Sequence, residues 1–260
     1  MLAIPRPPQL RRPPPIWREG RTGWELAALM RDPVFRQVDP SLGGGRPVML
    51  VPGFLAGDGS LGVMTGWLRR SGYRTRRAGM RFNVGCSTEG LDALEQRAEE
   101  LAERYGQRVA VIGQSRGGTL GRALAVRRPD LVKTLIALGS PQLAPLAVHP
   151  LVKLQVHLVG VLGTLGVPGL FRDSCRRGEC CREFRDSLTA PFPGDVRYVS
   201  IYSRSDGIVD WRSCLDPAAE LVEVAASHIG MAVSAPVYRA LAEALPDRRG
   251  SASAEVAAAV

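Results

Sequence analysis

Lysine and histidine are the scarcest titratable residues of this chain, two and three in 260 residues. Any reaction that needs an imidazole must use His149, His157 or His228. Cysteine is sparse too, with five residues and no C-x2-C pair. The adjacent Cys180-Cys181 is poor chelating geometry, so the spacing argues against zinc and no metal is expected. Residues 1–15 lack a continuous apolar stretch. Pro5, Pro7, Pro8, Pro13, Pro14 and Pro15 alternate there with Arg6, Arg11 and Arg12, so no secretory leader is expected and a cytoplasmic location is. From Leu154 to Phe171 there is no charge. That run is barely long enough to cross a membrane and is interrupted by glycines, Gln155, His157 and Pro168. No nucleic-acid module accompanies the positive charge, so no nucleic-acid partner is expected.

What is present is an ordinary apolar share, 45%, and a net charge of +9 dominated by arginine, with clusters at Arg69-Arg70, Arg74-Arg76-Arg77 and Arg127-Arg128. A solvated basic surface accounts for the clusters. They also leave peripheral contact with an anionic lipid surface open.

Apolar runs and amphipathic runs alternate. Strands are expected near 47–51, 74–79, 108–112, 134–138, 196–202 and 221–224. Helices are expected near 22–31, 61–71, 89–105, 117–127 and 231–245. Such alternation predicts an α/β protein whose mostly parallel sheet is covered by helices on both faces. It stops between about 141 and 193, where an apolar helical insertion is expected. The reading divides the chain into a Pro/Arg-rich arm at 1–20, a domain at 21–245 carrying that insertion, and a tail at 246–260.

Three segments carry chemistry, in chain order. Gly113-Gln114-Ser115-Arg116-Gly117 lies between a strand and a helix, a turn that lifts a serine hydroxyl clear of a sheet. Asp206 directly follows the apolar run 196–202 and is preferred as the acid over Asp210, which lies deeper in the same loop. His228 follows the last strand. A serine hydroxyl is a weak nucleophile that needs an adjacent base, and the base needs a carboxylate to fix its tautomer. Upstream, Pro52-Gly53-Phe54-Leu55 ends the first strand, where a backbone N–H of Phe54 or Leu55 would be presented beside that of Arg116.

With these motifs, and over about 47–245, the chain resembles bacterial lipases and esterases of the α/β-hydrolase superfamily. The resemblance implies an α/β-hydrolase fold with a helical cap. It also implies carboxylester hydrolysis through an acyl-enzyme, using Ser115, His228 and Asp206 with an oxyanion hole at Phe54 and Arg116. No cofactor is implied, and the partner is a small-molecule ester or lipid. An acyltransferase with the same triad and a non-catalytic basic binding protein on the same scaffold remain open alternatives.

Four finer expectations follow. Leu55, Leu158, Val161 and Leu165 would border an acyl pocket. The positive Arg116 side chain opposes the dipole of the helix it starts, so it should find a carboxylate, Asp58 or Glu89 by position, or an acidic group of the substrate. His149 and His157 are read as cap residues without a catalytic part. Cys214 would bond Cys180 or Cys181, near Cys175, and so tether the cap to the acid loop.

Overall fold

A computed structural model describes residues 13–246 apart from Leu143. The first twelve residues of the expected arm and the tail beyond 246 lie outside the described residues. Residues 16–20, expected in the arm, are instead folded onto the domain as a 3-10 turn, Ile16–Arg21.

Six strands form one wholly parallel sheet: β1 Pro47–Val51, β2 Arg74–Arg77, β3 Val109–Gln114, β4 Val132–Leu138, β5 Arg197–Tyr202 and β6 Glu220–Glu223. Their order is β2-β1-β3-β4-β5-β6. The central strands are mostly apolar because helices cover both faces, and β1 is buried at every position. The edges read differently. β2 is four residues with three arginines, and β6 begins and ends with Glu220 and Glu223. Charge on a short edge strand discourages pairing with another chain.

The helices are α1 Thr22–Arg31, α2 Pro33–Arg36, α3 Gly62–Arg70, α4 Ser87–Tyr105, α5 Arg116–Arg127, α6 Pro150–Thr164, α7 Asp173–Arg177, α8 Arg182–Thr189 and α9 Ala235–Ala244. One core layer sets α1, α3 and α9 against the sheet around Leu29, Trp67, Ile136 and Tyr238. The other sets α4 and α5 against the opposite face around Leu94, Val111, Leu120 and Leu135. The helix expected over 231–245 divides into a 3-10 turn, Ile229–Val233, and α9. Pro236 stands in the first turn of α9, where its missing N–H has no intrahelical partner to lose.

The chain order reverses between β1 and β3. Connections leave β1 toward one sheet edge and β3 toward the other, which opens a crevice at the carboxyl ends of these two neighbours. Between β4 and β5 the insertion carries α6, α7 and α8. Arg122 of α5 fastens its end, donating to Ser187 O at 3.1 Å while paired with Asp216 at 2.8 Å, with both charged groups buried.

Candidate active site

Ser115 sits in the crevice between β3 and α5 with φ +52° and ψ −122°. A non-glycine residue holds such a conformation only when its surroundings impose it, at a cost of about 1–3 kcal/mol. The surroundings do so here. The Ser115 N–H donates to Leu138 O at 2.8 Å, and its carbonyl accepts from Gly118 N at 3.0 Å. A side chain at Gly117 would collide with the carbonyls of Val51 and Pro52, so only glycine lets α5 begin this close to the end of β1.

The loop after β1 passes over the serine. A Cβ placed on Gly53 would stand 3.3 Å from the Ser115 Cβ and 4.0 Å from its Oγ. Phe54 follows and pairs with Asn83, whose side-chain amide donates to Pro52 O at 2.8 Å. Leu55 turns the loop with φ +61°. Arg116 is the first residue of α5, and the leading N–H groups of a helix have no intrahelical acceptor. The backbone N–H groups of residues 54 and 116 therefore belong to two chain segments that flank the serine.

The Arg116 side chain turns away from solvent. Its guanidinium donates to Asn83 O and Oδ1, both at 2.9 Å, to Gly85 O at 2.7 Å and to Ser87 Oγ at 3.1 Å, and it lies over the Phe171 ring. Burial lowers its pKa to about 10. The expected carboxylates do not meet it. Asp58 instead accepts from Gly79 N at 2.9 Å, and Glu89 is exposed. Carbonyl dipoles replace the acid because the side chain runs under the Asn83–Ser87 loop rather than out past the helix end.

Asp206 and His228 are adjacent and buried, with Oδ2 of Asp206 2.7 Å from Nδ1 of His228. Oδ1 of Asp206 accepts from the N–H of Ile208 at 2.8 Å and of Val209 at 2.6 Å, which fixes the carboxylate plane. Asp210 is occupied elsewhere, capping Trp211–Cys214 through Arg212 N. Burial pulls the His228 pKa down, but the charge and hydrogen bond of Asp206, with Glu19 behind them, outweigh it. The net displacement is upward from the ordinary 6.5. Gln114, next to the serine, donates to His228 O at 2.9 Å and so ties the histidine loop to the elbow. Gly139 completes the packing. A Cβ there would lie 3.1 Å from His228 Nδ1 and 3.2 Å from Asp206 Oδ2.

Two carboxylates from the N-terminal segment, unnoticed in the sequence, brace these loops. Glu19 accepts from Gly207 N and His228 N, both at 2.9 Å, and from Ile229 N at 2.8 Å. Glu25 accepts from Ser227 N at 2.7 Å and Ser227 Oγ at 2.5 Å. One acid thus spans the Asp206 loop and the His228 loop. No local pattern marks Glu19, because its partners lie some 200 residues away.

No family model and no curated protein matches the sequence. Solved structures do match. The mature Bacillus licheniformis lipase BlEst2 aligns with a TM-score of 0.57 over 81% of this chain and 94% of that one, at 15% identity. A structure of the metagenome-derived lipolytic enzymes LipS and LipT gives 0.54 over 80% and 98%, at 15% identity. A monoglyceride lipase from Saccharomyces cerevisiae gives 0.52 over 76% and 84%, at 16% identity. The chain has the α/β-hydrolase fold.

In this α/β-hydrolase fold the insertion between β4 and β5 packs on the loop after β1 through Val159, Phe171 and Phe54. Its start is sewn to the acid loop by a backbone bridge, Val148 to Val209, with His149 N donating to Ile208 O at 2.7 Å and Asp210 N to Ala147 O at 2.8 Å. The expected tether would have joined Cys180 or Cys181, at the end of the cap, to Cys214; the contact with the acid loop is made at the start of the cap instead. All five cysteines are free thiols, and Cys214 is buried against Val148 and Val209, apart from the other four. Its burial, with the nearby Asp206 charge, pushes its pKa up. The inner face of α6 presents Val156 and Val159, which pack with Phe171, Val84 and Phe54. Leu158 and Leu165 are 54% and 76% exposed, Val161 and Leu55 are also exposed, and none of these four expected pocket residues belongs to the cluster of Val84, Val159 and Phe171. Glycines at 160 and 163 put the close-packing stripe of α6 on the other face, and a Cβ on Gly163 would collide with the Phe171 backbone. His149 caps α6, accepting from Leu151 N at 3.2 Å, and His157 lies exposed on that helix.

Proposed function

We propose that the protein is a serine hydrolase that cleaves carboxylic esters through an acyl-enzyme on Ser115. The buried Asp206–His228 pair, tied through Gln114 to the serine elbow, carries this reading. His228 takes the proton of Ser115 Oγ as the hydroxyl attacks the ester carbonyl. Asp206 holds the Nδ1–H tautomer and stabilises the imidazolium that forms. The N–H groups of Phe54 and Arg116 receive the oxyanion, helped by the positive end of α5. Collapse breaks the ester bond, and His228 returns the proton to the departing alcohol. Water, deprotonated by the same histidine, then releases the acid.

The substrate class is an ester with an apolar acyl group. Its support is the Phe54–Val159–Phe171 cluster beside the proposed oxyanion loop, and the lipolytic names of the structural neighbours accord with it. The exposed apolar row Leu154, Leu158 and Leu165, on a chain of charge +9, suits transient contact with an anionic lipid surface. No helix of the described residues is long and apolar enough to cross a membrane.

Turnover of p-nitrophenyl esters tests the reaction. Ser115→Ala should lower it by several orders of magnitude with the fold intact, because a triad acts as a unit. Near-wild-type turnover in that variant would refute the mechanism.

A further inference from the structure

Four of the five cysteines meet at one point. Cys86 stands at the N-terminal end of α4, Cys175 lies in α7, and Cys180 and Cys181 lie in the 3-10 turn Glu179–Cys181. Their four Sγ atoms all lie within 4.8 Å of one another. Cys86 Sγ is 3.4 Å from Cys181 Sγ, and Cys180 Sγ is 3.8 Å from Cys181 Sγ. A tetrahedron of thiolates about 2.3 Å from a zinc ion has edges of about 3.8 Å. The sulfurs are thus grouped at the spacing of a shared ligand sphere. Two disulfides would need sulfurs close only in pairs, with bonds of about 2.05 Å. Cysteines close in sequence form no zinc-binding spacing, but Cys86 arrives from 95 residues before Cys181.

Charge supplies an independent observation. Four thiolates around a divalent cation carry a net charge of −2. The Arg116 guanidinium, which meets no carboxylate among the described residues, binds Gly85 O and Ser87 Oγ on either side of Cys86. A dianionic cluster provides the counter-charge that this largely buried cation lacks.

The local fold gives such a site a purpose. Helix α7 has five residues and the turn after it three, too few to hold their own shape. The apolar cluster under them is small, and Thr88 Oγ1 donating to Cys180 O at 2.7 Å is one of few bonds from this segment to α4.

We propose that Cys86, Cys175, Cys180 and Cys181 form a tetrathiolate site for one Zn²⁺ ion that fastens the cap to the start of α4. Binding breaks four S–H bonds and forms four Zn–S bonds. The four protons leave to solvent, and no oxidant or reductant takes part. Four sulfurs close the coordination sphere, so the ion is structural. It acts on the catalytic region only by seating the Arg116 side chain, one residue after Ser115.

The full chain, purified under reductant without chelator, tests the site by elemental mass spectrometry. One zinc per chain is expected, released in step as a mercurial reagent blocks four thiols. Cys86→Ser and Cys175→Ser should lose the metal, while Cys214→Ser retains it. If the serine variants fail to fold, cobalt exchange into the wild-type chain decides the matter, with the intense visible bands of a tetrahedral cobalt thiolate expected. The proposal is overturned by a reduced wild-type chain that takes up no zinc above trace, by iron in its place, or by a mass four hydrogens light from two disulfides.

Discussion

Glu19 is the residue whose part in the site is least obvious from its neighbours in sequence. Its carboxylate takes three backbone N–H groups, from the loops that carry Asp206 and His228, and its charge adds to that of Asp206 in raising the His228 pKa. The base works only when neutral, so the acidic limb of the kcat/KM profile should lie above the ordinary histidine value of 6.5. Glu19→Gln removes the charge and keeps the shape, and should move that limb toward lower pH. A purely structural Glu19 would lower activity without moving the limb, and a full pH profile of both proteins separates the cases. The same raised value has a stability consequence. His228 contributes stability that is fully present below pH 6.5 and is lost as pH rises through its folded value.

At the scale of elements, the cap joins the domain through a backbone bridge at its start, the bond from Arg122 to Ser187 O at its end and the thiol cluster between. Helix α6 therefore turns Val156 and Val159 inward and leaves Leu158, Val161 and Leu165 outside. Leu158→Asp or Val161→Asp should lower hydrolysis of long-chain esters presented on anionic vesicles at least tenfold, with melting temperature and short-ester turnover unchanged. Equal loss on both substrates would remove the outer face from the account. Which face of α6 is buried was not legible in the sequence. Apolar residues surround α6, so periodicity could not tell its buried stripe from its exposed one, and the glycines that choose the stripe do so through the Phe171 backbone. The elbow was legible because all its determinants are local: an apolar strand, glycines two residues either side of Ser115, and a helix. The acid loop was legible too, since Asp206 follows the end of β5 by four residues. Glu19, Glu25 and Cys86 were not, because their partners His228, Ser227 and Cys181 lie 209, 202 and 95 residues away in sequence.

For the whole molecule, one parallel sheet brings four loop ends to the same rim. The reversal of strand order beside β1 sets Phe54 next to Ser115, and the succession β5, β6 delivers Asp206 and His228 together. The six expected strands and most of the helices recur in the structure within a few residues. The alternation of apolar and amphipathic runs is set by burial on both faces of the sheet, and that burial is a property of the whole fold. The reading of the site as a reactive centre rests on one claim, that Ser115 is an activated nucleophile. Incubation of the intact protein with a fluorophosphonate, followed by peptide mass spectrometry, measures this without assuming a substrate. The account predicts one phosphonyl adduct per chain, located on Ser115 and abolished by His228→Ala. A folded protein that remains unlabelled, or is labelled at another residue, would contradict it.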